Sequence, residues 1–104
     1  MIAEISVVPV GEEVDLASHV AKVVKVIHES GLDYKLNAMS TVVEGDSDSV
    51  FDLIKKCHTT MLETAQRVYT VIKLDERKDT DKKVKMIEHK VRSVEKELEK
   101  ILKK

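Results

Sequence analysis

The stretch Asn37-Ala-Met-Ser-Thr-Val-Val-Glu-Gly-Asp46 sits in the middle of the chain, and its reading decides the fold. Strands alternate their side chains between two faces. This one carries polar groups, Asn37, Thr41 and Glu44, where a purely structural strand would carry more Val and Ile. It stops at Gly45, and Asp46 or Ser47 can then cap a helix. The segment therefore predicts a strand followed at once by a helix. Hydrogen-bonding groups on a rigid strand suit recognition of a small polar ligand better than bond-breaking.

Working outward, residues 2–9 form a β-branched strand with Ala3, Ile5 and Val7 on one face and Glu4 and Ser6 on the other. Pro9 lacks an N–H and marks the strand's margin. From about Val14 the period becomes helical: Ala17, Val20, Val24 and Ile27 form a stripe with Val23 beside it. Gly31 closes this helix at C′. Tyr34 to Ala38 and Thr41 to Glu44 read as two short strands about a tight connection at Met39-Ser40. The helix after Asp46 buries Val50, Ile54, Cys57 and Met61. A last strand runs from about Arg67 to Leu74, with Val68, Ile72 and Leu74 on one face and Tyr69, Val71 and Lys73 on the other. The order strand, helix, strand, strand, helix, strand is the doubled split βαβ of an α+β, ferredoxin-like βαββαβ sandwich. Right-handed crossovers place both helices on one side of the sheet.

Residues 1–79 account for that unit, within a single domain overall. Residues 80–104 add a C-terminal helix with Thr80 as its expected N-cap. Val84, Ile87, Val91, Val94, Leu98 and Ile101 are spaced 3, 4, 3, 4, 3, a heptad seam among charges. Residues 75–104 carry 11 basic and 8 acidic groups, a net +3, against −4 for residues 1–74. Two helices on one sheet face leave the other bare, with Val42, Tyr69 and Val71 upon it. A half-apolar face calls for a cover. The extra helix either folds back over it or pairs with a helix of another subunit. Either is favoured over a free helix, since isolated helices are marginal in water, and a homo-oligomer is the expected state.

Composition narrows the function. The hydrophobic fraction is 42% and the charged fraction 36%, which describes a globular chain. Aromatics are 3% with no Trp, which disfavours stacking on single-stranded nucleic acid. The net charge of −1 gives no drive toward polyanions. No apolar run approaches the ~20 residues of a membrane span. A lone Cys57 excludes an internal disulfide and fits a reducing, cytoplasmic setting.

The candidate site residues each have a second reading. Glu44 with Asn37 and Thr41 can accept from and donate to a heterocycle; they can equally be a strand-end acid, a turn former and a strand filler. Arg77 in the run Asp75-Glu-Arg-Lys-Asp79 either holds a ligand or lies in a solvated turn. The histidines lack metal-ligand spacing, so no metal site is expected. Cys57 and His58 are adjacent on a helix and cannot face each other as a catalytic pair. The fold also hosts acyl-phosphate hydrolases, but the first loop, Val10-Gly-Glu-Glu-Val14, offers acids where that chemistry needs Arg.

The chain resembles the small thiamine-binding proteins of archaea, bacteria and fungi, within the YkoF-like superfamily. The resemblance rests on Ala3-Glu-Ile-Ser-Val-Val-Pro-Val-Gly11, residues 37–46, Cys57-His-Thr-Thr60 and Lys73-Leu-Asp-Glu-Arg-Lys-Asp79. It implies a ferredoxin-like domain that dimerises through its sheets and forms tetramers as pairs of dimers. It also implies binding of thiamine or its hydroxymethylpyrimidine part, without catalysis and without a cofactor. Carried over by motif, Ser6, Asn37, Thr41 and Glu44 would face the ligand. Asp75 and Arg77 would brace or complete the pocket, and His58 falls in a family-like motif. The competing reading is a structural or partner-binding oligomer, built on the heptad helix, with no affinity for thiamine.

Overall fold

The computed structural model describes residues 1–11, 15–78 and 85–103. Strand β1 (Ile2–Val10) leads to helix α1 (Leu16–Glu29), then strands β2 (Asp33–Leu36) and β3 (Thr41–Glu44). Helix α2 (Ser47–Leu62), strand β4 (Arg67–Asp75) and helix α3 (Met86–Leu102) complete the chain. The sheet is antiparallel in the order β2-β3-β1-β4. This is the ferredoxin-like sandwich with an added C-terminal helix, as the element order predicts.

The helix starts and stops follow local chemistry. Asp15 accepts from the Ser18 amide at the head of α1, and Asp46 from the Ser49 amide at the head of α2. The Ser49 hydroxyl also donates to Asp46, and these bonds hold its carboxyl below the ordinary range. Gly31, just past the end of α1, has φ +76°, the left-handed conformation that favours glycine. At Gly45 a Cβ would stand 2.9 Å from the tip of the Leu32 side chain, so a larger residue there would have to push that methyl aside. The Gly45 amide and carbonyl both pair with Met1, at 3.1 and 2.8 Å, tying the first residue to this corner.

The core lies between the sheet and the α1/α2 layer. Ala3, Ile5 and Val7 of β1 and Val43 of β3 meet Val23 and Ile27 of α1. Val50, Leu53, Ile54, Cys57 and Met61 come from α2. The expected α2 stripe holds, with Leu53 added. On α1 the buried line runs through Val23 and Ile27, with Val26 packed beside it, and Val20 and Val24 of the expected stripe are only half-buried. Ala17 is exposed, because only the C-terminal half of α1 is buried. Strand β2 is shorter than expected. It ends at Leu36, and Asn37 to Ser40 form the hairpin turn, closed by the Asn37 amide donating to the Ser40 carbonyl at 2.8 Å.

The opposite sheet face is open. Helix α3 does not cover it: Tyr69 and Val71 are 60% and 51% exposed. The helix has no fully buried residue, and only Met86 and Ile87 are half-buried. Val91, Val94, Leu98 and Ile101 of the heptad seam are 47–68% exposed. The boundary between residues 1–79 and 80–104, the Thr80 cap and Val84 lie outside the described residues. Among the described residues no helix is long and apolar enough to cross a membrane.

Candidate functional site

Pairing register assembles an acidic row across the open face. Asp33 of β2 pairs with Glu44 of β3, Glu44 pairs with Ile2 of β1, and Ile2 pairs with Asp75 of β4. Directly paired residues of antiparallel strands share a face. Three carboxylates and one isoleucine thus span all four strands at one end of the sheet.

Each carboxylate is engaged by the beginning of α3. The Met86 and Ile87 amides donate to Glu44 Oε2 at 2.6 Å and Oε1 at 3.1 Å. Lys85 Nζ lies 3.4 Å from Asp33, and Lys90 Nζ donates to Asp75. The Lys90 bond, then its charge and to a lesser degree that of Arg77, holds the Asp75 carboxyl below the ordinary aspartate range. The first amides of any helix have no partner within it. Lys85, at the N-cap of α3, supplies no side-chain cap. Glu44, 42 positions away in sequence, supplies it instead, and its charge complements the positive end of the helix dipole.

The structure separates some of the residues expected to act together. Glu44 is half-buried on the open face. Thr41 is 6% exposed and turned toward the helices with its partner Ile5. Asn37 lies in the exposed hairpin turn. Ser6 shares Glu44's face but sits four residues along β1 from Ile2, roughly 13 Å at the usual strand rise. Asp75 shares the acidic row, two strands from Glu44, and Arg77 follows just beyond the end of β4. His58 belongs to the other layer: its Nδ1 shares a 2.7 Å hydrogen bond with Thr70 Oγ1, joining α2 to β4. Asp33, Lys85 and Lys90 escaped the sequence reading. Only the strand register brings Asp33 beside Glu44.

Little else among the described residues carries chemistry. Cys57 is fully buried, and burial pushes its thiol up to about 11, so it is a core residue rather than a nucleophile. Among the described residues no group of three or more His, Cys, Asp or Glu could hold a metal ion.

Comparison with known proteins places the chain. The profile of the family described as thiamine-binding protein matches residues 3–95. The UPF0045 protein MJ1052 of Methanocaldococcus jannaschii is 36% identical over 94 residues, covering 90% of this chain and 91% of that one. The UPF0045 protein YqgV of Bacillus subtilis is 32% identical over 104 residues, covering 94% and 97%. The crystal structure of MJ1052 superposes with a TM-score of 0.79 at 35% identity over 89% of this chain and 93% of that one. A Thermotoga maritima protein proposed to act in thiamine biosynthesis or salvage shares the fold, with a TM-score of 0.77 at 24% identity over 89% and 96%. The acid-rowed sandwich described above is one more member of that group: the chain belongs to the thiamine-binding protein family.

Proposed function

We propose that this protein is a non-enzymatic, cytoplasmic binding protein for a small cationic or amine-bearing heterocycle, thiamine or its hydroxymethylpyrimidine moiety. The observation that carries the reading is the acidic row Asp33–Glu44–Asp75 at one end of an open sheet face, in a chain of the thiamine-binding family. An aminopyrimidine offers N–H donors to a carboxylate, and a thiazolium cation is favoured by neighbouring negative charge. Nothing in the row pairs a nucleophile with a base, so binding without turnover is the chemistry it supports. Calorimetry with thiamine tests this. Glu44→Gln should cost ~1.5–3 kcal/mol, the worth of a hydrogen bond to a charged group, or about ten- to a hundredfold in affinity. Equal affinity of variant and parent would remove Glu44 from the site, and no heat at millimolar ligand would remove thiamine.

The exposed seam of α3 favours a second reading, a partner-binding oligomer without thiamine affinity. The two readings share one expectation, a homotetramer built as a pair of dimers. An uncovered sheet face and an uncovered helix seam are two self-complementary surfaces, and two such surfaces close with dihedral symmetry. Native mass spectrometry of protein from its own source would report the assembly and any retained ligand together.

A further inference from the structure

The geometry points to α3 as a latch that competes with ligand for Glu44. This inference rests on the ligand-binding reading above, but its mechanical half stands on the fold alone.

Helix α3 holds the rest of the chain by its first turn. It has no fully buried residue, and its seam is exposed from Val91 onward. What docks it is a polar set of contacts beside the half-buried Met86 and Ile87. Glu44 caps the Met86 and Ile87 amides, Lys85 reaches Asp33, and Lys90 reaches Asp75. All three acceptors lie in one row of the sheet, so helix and row meet as a cationic end on an anionic edge. The two lysine pairs are half-exposed or more and contribute little by themselves. The Glu44 cap is the partly buried contact, and both its oxygens are spent on it.

That occupancy has a consequence. A heterocycle recognised through two N–H donors needs both carboxylate oxygens in one plane, which is how the two α3 amides already use them. Ligand and first turn cannot both hold Glu44 in that way. Capture of a ligand at Glu44 therefore releases the head of α3, and docking of α3 weakens the ligand. Since α3 also carries the exposed apolar seam, release would alter how that seam is presented to other copies of the chain.

Amide hydrogen exchange by NMR reads the latch directly. In Glu44→Ala the Met86 and Ile87 amides should exchange at least tenfold faster than in the parent. The Ser49 amide, capped by Asp46, serves as an unchanged reference. Unaltered Met86 and Ile87 rates in that variant would overturn the latch. In the parent, saturating thiamine should speed exchange at Met86 and Ile87, whereas slower or unchanged exchange in the presence of binding heat would overturn the competition. Absence of binding heat at millimolar thiamine would overturn the competition together with the thiamine reading, and the Glu44→Ala rates would still decide the latch.

Discussion

Asp33 and Glu44 stand directly opposite each other on β2 and β3, two carboxylates in a cross-strand pair where like charges repel. The chain tolerates the pair because α3 brings positive charge to both members, a lysine to Asp33 and a helix N-terminus to Glu44. Asp33→Asn removes the repulsion and one exposed ion pair, which nearly cancel. Its unfolding free energy should stay within about 0.5 kcal/mol of the parent's, the usual range for surface changes. Lys85→Ala removes only the relief, and should be the more destabilising of the two. Calorimetric scans of both variants check the ranking, and the reverse order would show that the row carries no strain for Lys85 to relieve.

The Asp75–Lys90 pair should give α3 docking a small pH dependence, since the pair is about half exposed. Asp75 has its carboxyl lowered in the folded state. Its contribution is therefore complete above the ordinary aspartate range and is lost as pH falls through the lowered value. A carbon-detected NMR titration of the Asp75 carboxyl should give a midpoint below that of an ordinary aspartate. In Lys90→Ala the midpoint should move back up. An identical midpoint in parent and variant would mean that the pair does not persist in solution.

The architecture was legible because period and punctuation agree along the chain. The α2 stripe is Val50, Ile54, Cys57 and Met61, and Gly31 stops α1 in the left-handed conformation it alone adopts cheaply. The site was legible only in pieces. Glu44 and Asp75 look remote in sequence, and no local pattern states that Ile2 stands between them. Thr41 and Glu44 are three residues apart on a strand, and an odd separation puts them on opposite faces. Asn37 fell out of its strand because pairing stops two residues sooner than expected, at Leu36↔Thr41 rather than at Ala38. Contacts of α3 with the row depend on how a charged helix returns to a sheet, and its heptad seam says nothing about that.

Core and seam should respond differently to truncation. Ile27 is 1% exposed between helix and sheet. Ile27→Ala should cost about 2–5 kcal/mol, the range for emptying a well-packed aliphatic site. Val94 is 68% exposed, so in a monomer Val94→Ala should change stability by no more than about 0.5 kcal/mol. A denaturant series run at two protein concentrations separates the cases. A Val94→Ala cost that depends on concentration would identify the seam as an interface.

Cys57 should be silent to thiol reagents in the native protein. It is fully buried, and burial raises its pKa to about 11, so the reactive thiolate is scarce and shielded at pH 8. Labelling should follow unfolding, and its rate in dilute denaturant should track global stability. Rapid labelling without denaturant would show that the α2 side of the core opens locally.

The last expectation concerns assembly. If the open sheet face and the α3 seam each close on a symmetry mate, the protein is a tetramer, and the two surfaces can be broken separately. Leu98→Asp with Ile101→Asp places charge on the seam without touching the α1/α2 core, since both residues are already exposed in one chain. Sedimentation of that variant should show dimers held by the sheet face, where Tyr69 and Val71 lie. Tyr69→Asp with Val71→Lys should break the other contact and leave dimers held by the helices. Circular dichroism should report a folded sandwich in both variants. A parent that sediments as a stable monomer at micromolar concentration would remove both surfaces as interfaces, and would leave the apolar seam of α3 without a partner of its own kind.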